Sequence, residues 1–396
     1  MIHLPMHGFF LSQPSPDKIW DRMKGYVSWL EVDLDNIGHN LDEIRRHTMA
    51  EVMPCVKNNA YGHGLIPVSA YLSGRGVKRV MVAKLREAVR IRDLVGIGVL
   101  CMDPLFAEEQ FSLVAEKGIT QTVYTLETAK ALSGAASKQG KTTGVFVKVD
   151  TGLRRVGVWH EEAPDLIERI SKLPNIRVEG VFSTLMQNPE QDREQLRRLL
   201  AVASELDRRG VDHGALSIAS TDATLNMKEA HLDVVRPGMS LYGIYPETKD
   251  LNSGLKLRQA LAFKARIEQV KWIDKGDSVT YWGRFVATER MRVGTLHVGF
   301  YDGIPREMAN KARIRVGDTY RRSLGSVSLN HILVDLTGTP AEAGDAVEVI
   351  GREGENTLSM MAEASGWMTY SILNHLNPCM PRVYFSGGEP VAFLEP

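Results

Sequence analysis

The first two thirds of the chain alternate short β-branched or apolar runs with longer stretches of helical spacing, and this alternation restricts the fold more than any other feature. The strand candidates are Val52–Lys57, Arg79–Ala83, Ile97–Met102, Thr120–Thr125, Gly144–Asp150, Arg177–Ser183, Ala215–Ser220 and Asp233–Arg236. Between them lie the helix candidates Lys84–Val95, Phe106–Lys117, Leu126–Gln139, Glu161–Leu173 and Gln191–Arg209. In the last of these, Leu196, Leu199, Leu200, Val202 and Leu206 share one broad face, with Arg and Glu around them. Strands separated by helices pair in parallel, because each crossover returns the chain to the same end of the sheet. Eight candidates in about 200 residues is the count of a closed (β/α)8 barrel of the TIM type. An open doubly wound sheet is the alternative.

After about residue 258 the long helical stretches stop. The runs Ala260–Ile267, Arg292–Val298, His331–Leu336 and Ala346–Ile350 read as strands, separated by Gly- and Pro-bearing turns. One helix at Ser359–Ser365 and a last strand near Val383–Phe385 complete a mainly β domain. The organisation expected is therefore an N-terminal extension over 1–28, an α/β barrel over 29–257 and a C-terminal β domain over 258–396.

Composition excludes several partners. Lys plus Arg and Asp plus Glu are both 48, so no net charge favours nucleic acid or a membrane surface. The three cysteines, Cys55, Cys101 and Cys379, have no regular spacing, which argues against a disulfide framework and suits a reducing compartment. Residues 1–23 lack both a basic leading region and a sustained apolar stretch, and no run of about 18 apolar residues occurs. A cytoplasmic protein is expected.

The segment Val56-Lys57-Asn58-Asn59-Ala60-Tyr61-Gly62-His63-Gly64 is the richest in chemistry. It places a lysine at the end of the first barrel strand, and barrel strand ends face the active site. Partial desolvation there lowers a lysine's pKa and makes it a usable amine nucleophile. The glycines after it permit a sharp turn and close backbone approach. A lone strand-ending lysine would more simply be an exposed one.

This string resembles the cofactor-lysine motif of the alanine racemases, Val-Lys-Ala-Asn-Ala-Tyr-Gly-His-Gly, with Asn58 as the one change. Further segments resemble that family in the same order. Trp29-Leu30-Glu31-Val32-Asp33-Leu34-Asp35 is similar to its opening strand. Lys148-Val149-Asp150-Thr151-Gly152 with Arg155-Val156-Gly157 is similar to its central Lys-Met-Asp-Thr-Gly…Arg-Leu-Gly. Val235-Arg236-Pro237-Gly238-Met239 with Tyr242-Gly243, then Val279-Thr280-Tyr281, then Gly299-Phe300-Tyr301-Asp302-Gly303, follow its remaining motifs. The resemblance runs from Trp29 to about Phe385.

The resemblance implies a pyridoxal 5'-phosphate enzyme of fold-type III that interconverts L- and D-alanine, working as a homodimer with shared active sites. Lys57 would hold the cofactor and serve as acid or base on one face of the substrate α-carbon. Tyr281, from the second subunit, would serve the other face. Racemisation removes a proton from one face and returns it to the other, so two such groups are needed. Arg236 would face the pyridine nitrogen and, always protonated, keep it unprotonated; the simpler role is a salt bridge at the barrel rim. Tyr61, Ser220, Thr221, the backbone N–H groups of Gly238 and Met239, and Tyr370 would hold the phosphate. Arg155 and the Leu329 N–H would bind the substrate carboxylate. Lys148 matches a family lysine that can be carbamylated and pair with the arginine; an ordinary buried salt bridge is the other reading.

Four positions depart from the family pattern. Thr184 stands where a histidine usually links the pyridine-facing arginine to the catalytic tyrosine. Ser328-Leu329-Asn330 replaces Cys-Met-Asp, Phe300 replaces a tyrosine, and Tyr370-Ser371-Ile372-Leu373 lacks the usual residues after the tyrosine. These changes surround the substrate and leave Lys57, Tyr281 and Arg236 intact, so a racemase for another amino acid is the alternative. An amino-acid decarboxylase would pair the pyridine nitrogen with a glutamate rather than Arg236. A non-catalytic cofactor-binding protein would lack so large a β domain. The eleven histidines are spread along the chain, so no metal is expected, and His63 reads as a structural hydrogen-bonder.

Overall fold

The computed structural model describes residues 8–246 and 254–395; the first seven residues of the N-terminal extension lie outside them. Parallel strands Arg79–Val82, Gly98–Cys101, Thr120–Val123, Thr143–Asp150, Ile176–Phe182 and Ala215–Ser217 pair in that order. Glu51–Val52 and Val234–Val235 form a second parallel pair.

Backbone bonds join the two groups. Met81 N–H donates to the Pro54 carbonyl, Val56 N–H to Met81, Asp233 N–H to Leu216 and Arg236 N–H to Ala219. The eight strands thus close into a (β/α)8 barrel. Its interior and the helix faces against it form one continuous apolar cluster that includes Val80, Leu100, Val123, Val147, Val181 and Val235.

The crossover helices start where the sequence offers caps. In Pro189–Arg208 the Asn188 side chain accepts the Gln191 N–H and Pro189 occupies the first turn, a cap of about 1 kcal/mol. Leu196, Leu199, Val202 and Leu206 are buried as the spacing predicts, whereas Leu200 is exposed.

The C-terminal unit is mainly β. Strands Met291–Leu296, Ile332–Asp335, Thr319–Leu324, Arg313–Val316, Ala346–Ile350 and Leu261–Ile273 pair in that order, and the first also pairs with the last. Six strands therefore close a smaller barrel around Phe263, Leu296, Ile314, Val334 and Val349.

Two features differ from the sequence expectation. The strand Ser28–Asp33 does not enter the (β/α)8 barrel: it lies antiparallel to Leu261–Ile273 and parallel to Arg382–Ser386. A period-2 run fits either sheet, and tertiary pairing selects. The second is a set of elements not anticipated in the C-terminal unit: the hairpin strands Arg313–Val316 and Thr319–Leu324, the helix Thr369–His375 and the closing strand Glu389–Leu394.

Candidate active site

The chain leaves the first barrel strand at Val56 and immediately turns left-handed. Asn58, Asn59, Ala60 and Tyr61 all have φ between 52° and 56°. An L-residue pays roughly 1–2 kcal/mol for that conformation, asparagine least. The surroundings hold the turn. Glu87 accepts the Asn59 N–H at 3.0 Å, the Asn59 side chain accepts the Leu65 N–H at 2.8 Å, and Ala60 N–H donates to Val56. Buried His63 donates from Nδ1 to the Ala60 and Tyr61 carbonyls and stacks on Tyr242 at 4.3 Å. From the C-terminal unit, Arg382 Nε donates to the Gly62 carbonyl at 2.8 Å.

The turn presents Lys57, partly buried, with its Nζ 5.9 Å from the Tyr61 ring centre. Tyr61 is itself buried between Tyr242, at 5.3 Å, and Tyr370, at 5.5 Å. Burial pushes its phenol well above the ordinary value, so its hydroxyl remains a donor.

Four other strand ends face the same end of the barrel. Thr221 follows Ala215–Ser217, and its Oγ1 accepts the Gly238 N–H at 2.9 Å, leaving its own O–H to donate outward. A Cβ on Gly238 would stand 2.5 Å from the Tyr61 hydroxyl. Only glycine admits that approach, and the result is a concave cluster of hydroxyl and backbone donors suited to an anion. Met239 opens a one-turn 3-10 segment, so its N–H has no acceptor within the turn. Ser220 makes no side-chain cap to the helix Thr221–Asn226.

Arg236 is buried and braced by neutral groups. Its Nε donates to Ser217 Oγ at 2.8 Å, and its Nη2 to the Ser183 carbonyl at 2.6 Å and the Ile218 carbonyl at 3.2 Å. Among the described residues no carboxylate forms an ion pair with it, which removes the rim salt bridge as its role. Desolvation lowers its pKa to about 10, so it stays charged at neutral pH. Among the described residues its Nη1 has no hydrogen-bond partner.

Lys148 is the second buried basic group. Its Nζ donates to Thr184 Oγ1 at 2.6 Å and sits 4.5 Å from the Phe182 ring centre, while Arg236 lies 5.0 Å from the same ring. Burial first, then the charges of Arg236 and Arg155, push the Lys148 pKa well below its ordinary value. Neither an ion pair nor a hydrogen bond joins it to a carboxylate among the described residues, so the buried salt bridge expected as one reading is absent. Arg155 is exposed, on the loop that Asp150 organises by accepting the Gly152 and Arg154 N–H groups.

Tyr281 lies apart from this cluster, on the C-terminal unit. It is 68% exposed in a turn where Thr280 and Trp282 have φ of 62° and 63°. Ser326 fixes the turn: its N–H donates to Thr280 Oγ1 at 2.8 Å and its Oγ to the Tyr281 carbonyl at 3.1 Å. Phe300, Tyr301 and Leu329 are exposed nearby in the fold, with Phe300 and Tyr301 N–H groups bonded to the Ser328 and Leu329 carbonyls.

One chain therefore brings together Lys57, Tyr61, Ser220, Thr221, Arg236, Gly238, Met239 and Tyr370, and leaves Tyr281 and Leu329 on an outward face. Motif reading missed Ser217, Ser183 and Arg382, which brace the site. They come from strands distant in sequence, and no local spacing marks them.

Residues 32–246 match the alanine racemase N-terminal domain and residues 260–384 the alanine racemase C-terminal domain. The chain is 32% identical over 375 residues to alanine racemase 1 of Clostridium acetobutylicum, covering 92% of this chain and 96% of that protein. It superposes on the alanine racemase of Clostridium difficile 630 with a TM-score of 0.88 at 26% identity, covering 93% and 98% of the two chains. The alanine racemase of Bartonella henselae with covalently bound pyridoxal phosphate shares the fold, with a TM-score of 0.79 at 23% identity over 91% and 100%.

Proposed function

The chain belongs to the alanine racemase family, and on that premise we propose that Lys57 and Tyr281 are its two acid/base groups and that residues around Lys57 hold pyridoxal phosphate. It is an isomerase that interconverts L- and D-alanine. The observation that carries the site assignment is the convergence at one barrel end of a lysine, an arginine without a carboxylate partner, and the Gly238–Tyr61 cradle.

The residues present fit the cofactor. Tyr61, Thr221, Ser220, Tyr370 and the Gly238 and Met239 backbone offer donors to a phosphate, and Arg236 Nη1 to a ring nitrogen. When bound, pyridoxal phosphate supplies an electron-withdrawing ring that stabilises charge left on the α-carbon. Lys57 Nζ would hold it and exchange a proton on one face of that carbon. The Tyr281 hydroxyl would exchange a proton on the other face. Arg236, a donor in every bond it makes here, cannot deliver its proton at neutral pH and so orients without protonating. Arg155 and the Leu329 N–H would bind the substrate carboxylate.

Tyr281 projects from the outward face that also carries Trp282, Phe300 and Tyr301. Exposed aromatic groups on this scale favour burial by a partner, which supports a homodimer in which each Tyr281 completes the other subunit's site. No helix among the described residues is long and apolar enough to cross a membrane; we place the protein in the cytoplasm on its free cysteines. We retain 258 as the boundary between the units, with Ser28–Asp33 a strand lent by the N-terminal part to the C-terminal sheet.

Chiral chromatography after incubation with separate L-amino acids and pyridoxal phosphate tests the proposal. D-Alanine formed by the wild type, and abolished in both Lys57→Ala and Tyr281→Phe, is the expected result. Retention of activity in either variant would remove that residue from the pair. Preferential formation of another D-amino acid would assign a changed specificity to Phe300 and Asn330.

A further inference from the structure

The smaller barrel brings together three residues that the sequence keeps far apart. Glu268 is the extra residue of a bulge in Leu261–Ile273, where register shifts between Ile267 and Gln269. His297 directly follows Met291–Leu296, and His331 directly precedes Ile332–Asp335. Leu296 pairs with Ile267 on one side and with Ile332 on the other. Three adjacent strands therefore deliver one side chain each to a single point.

The resulting geometry is close. His297 Nδ1 lies 3.2 Å and His331 Nε2 3.1 Å from the same carboxylate oxygen, Glu268 Oε2. The two rings are edge to face with centres 5.0 Å apart, and all three potential ligand atoms lie within 4.8 Å of one another. Zinc holds nitrogen and oxygen ligands at about 2.0–2.2 Å, which in a tetrahedron separates them by about 3.3 Å. The spacing found is near that value before any ion enters. The three side chains are about half exposed, so an ion has access and water can fill the remaining positions.

We propose that Glu268, His297 and His331 form a binding site for a divalent transition metal of the zinc class. Two imidazole nitrogens and one carboxylate oxygen suit Zn²⁺, Co²⁺, Ni²⁺ or Cu²⁺ and offer little to Mg²⁺ or Ca²⁺, which want oxygen ligands. The bulge is what aims Glu268 between its neighbours, since an added residue re-aims a side chain and leaves the flanking pairing intact. The ion would tie this bulge to two strand ends. Beyond His297 comes the Phe300–Asp302 turn, and the His331 carbonyl accepts the Ser328 N–H, so both segments next to Leu329 are anchored there. The site stands on its own geometry and does not depend on the assignment of Lys57 or Tyr281.

The test is titration of EDTA-treated, pyridoxal-phosphate-loaded protein with Zn²⁺ by calorimetry and with Co²⁺ by visible absorption. One saturable equivalent per chain is expected, with Co²⁺ ligand-field bands and no competition from excess Mg²⁺. Glu268→Gln, His297→Gln and His331→Gln should each weaken binding at least tenfold. A Zn²⁺-dependent rise in thermal midpoint should be seen in the wild type and lost in the same variants. Absence of saturable uptake, or uptake unchanged in the three variants, would overturn the proposal. Should one variant fail to fold, the other two, altered on separate strands, decide.

Discussion

Lys148 Nζ donates to Thr184 Oγ1 at 2.6 Å and shares the Phe182 ring with Arg236, at 4.5 and 5.0 Å from its centre. Thr184 stands where the family resemblance implies a histidine that serves the arginine. Here the threonine serves the lysine, and Arg236 is held by Ser217, Ser183 and Ile218 instead. Arg236 can therefore keep its orientation although that histidine is gone.

Two buried basic groups near one ring carry a cost that depends on pH. Lys148 titrates well below its ordinary 10.5 in the folded chain, mainly through burial. Between the lowered and the ordinary value, the unfolded chain binds a proton that the folded one lacks, so stability rises with pH. Lys148→Met should be more stable than wild type at pH 7 in bicarbonate-free buffer, with the difference shrinking towards pH 10. Denaturant melts across that range check it; a constant difference would rule out the titration. Thr184→Val should cost about 1–3 kcal/mol by leaving the lysine donor unmatched.

Tyr281 is solvent-facing in one chain, so its hydroxyl contributes little to the fold of that chain. Tyr281→Phe should lower kcat for alanine by about 10²–10⁴, the usual worth of a positioned acid/base group, with the thermal midpoint unchanged. On the proposed two-sided assignment, solvent-deuterium exchange started from one enantiomer should survive the change better than exchange started from the other. Equal loss from both enantiomers would contradict the two-sided assignment.

His63 gives a second pH signature, of acid sensitivity. Burial lowers its pKa from 6.5 to about 4, and its Nε2 has no partner among the described residues. From pH 6.5 down to about 4 the unfolded chain takes up a proton that the folded chain refuses, so stability falls as pH falls. The loss is about 3 kcal/mol at 1.36 kcal/mol per pKa unit. His63→Leu should flatten this part of the stability profile. Its Nδ1 bonds brace the turn that carries Lys57, so the cofactor absorbance of the wild type should fade over the same window.

Asn58 occupies the first left-handed position of that turn, where the family motif has alanine. Asparagine tolerates the conformation better than alanine. Asn58→Ala should therefore destabilise by about 1 kcal/mol at most, read as a lower urea midpoint with an unchanged slope. Asn58→Gly should be nearly neutral. A destabilisation well above 1 kcal/mol would show that the side chain's approach to Asn374, at 3.5 Å, matters more than the backbone.

Much of the molecule was legible in the chain itself. Alternation of strand and helix candidates specified parallel strands, because helical crossovers return the chain to the same end of the sheet, and closure into a barrel rather than an open doubly wound sheet came from the tertiary pairing. The Lys57 motif marked the proposed site, because strand ends of a barrel converge on one face and the glycines after it permit the turn. The departures at Thr184 and Asn330 were equally plain as residues.

Their partners were not. That Thr184 bonds Lys148, that Ser217 holds Arg236, and that Arg382 supports Gly62 follow from strands meeting across the barrel and between the two units. The strand Ser28–Asp33 carries a pattern that either sheet could bury, and its place beside Leu261–Ile273 is a matter of tertiary pairing. Glu268, His297 and His331 show no ligand spacing in one dimension; a bulge and two strand registers put them together. The sequence by itself determined which backbone segments form and which residue types each strand end offers, since periodicity and turn chemistry act over a few residues. Only the tertiary structure decided which of those groups meet, because contact across a sheet depends on register and pairing between segments that no local pattern links.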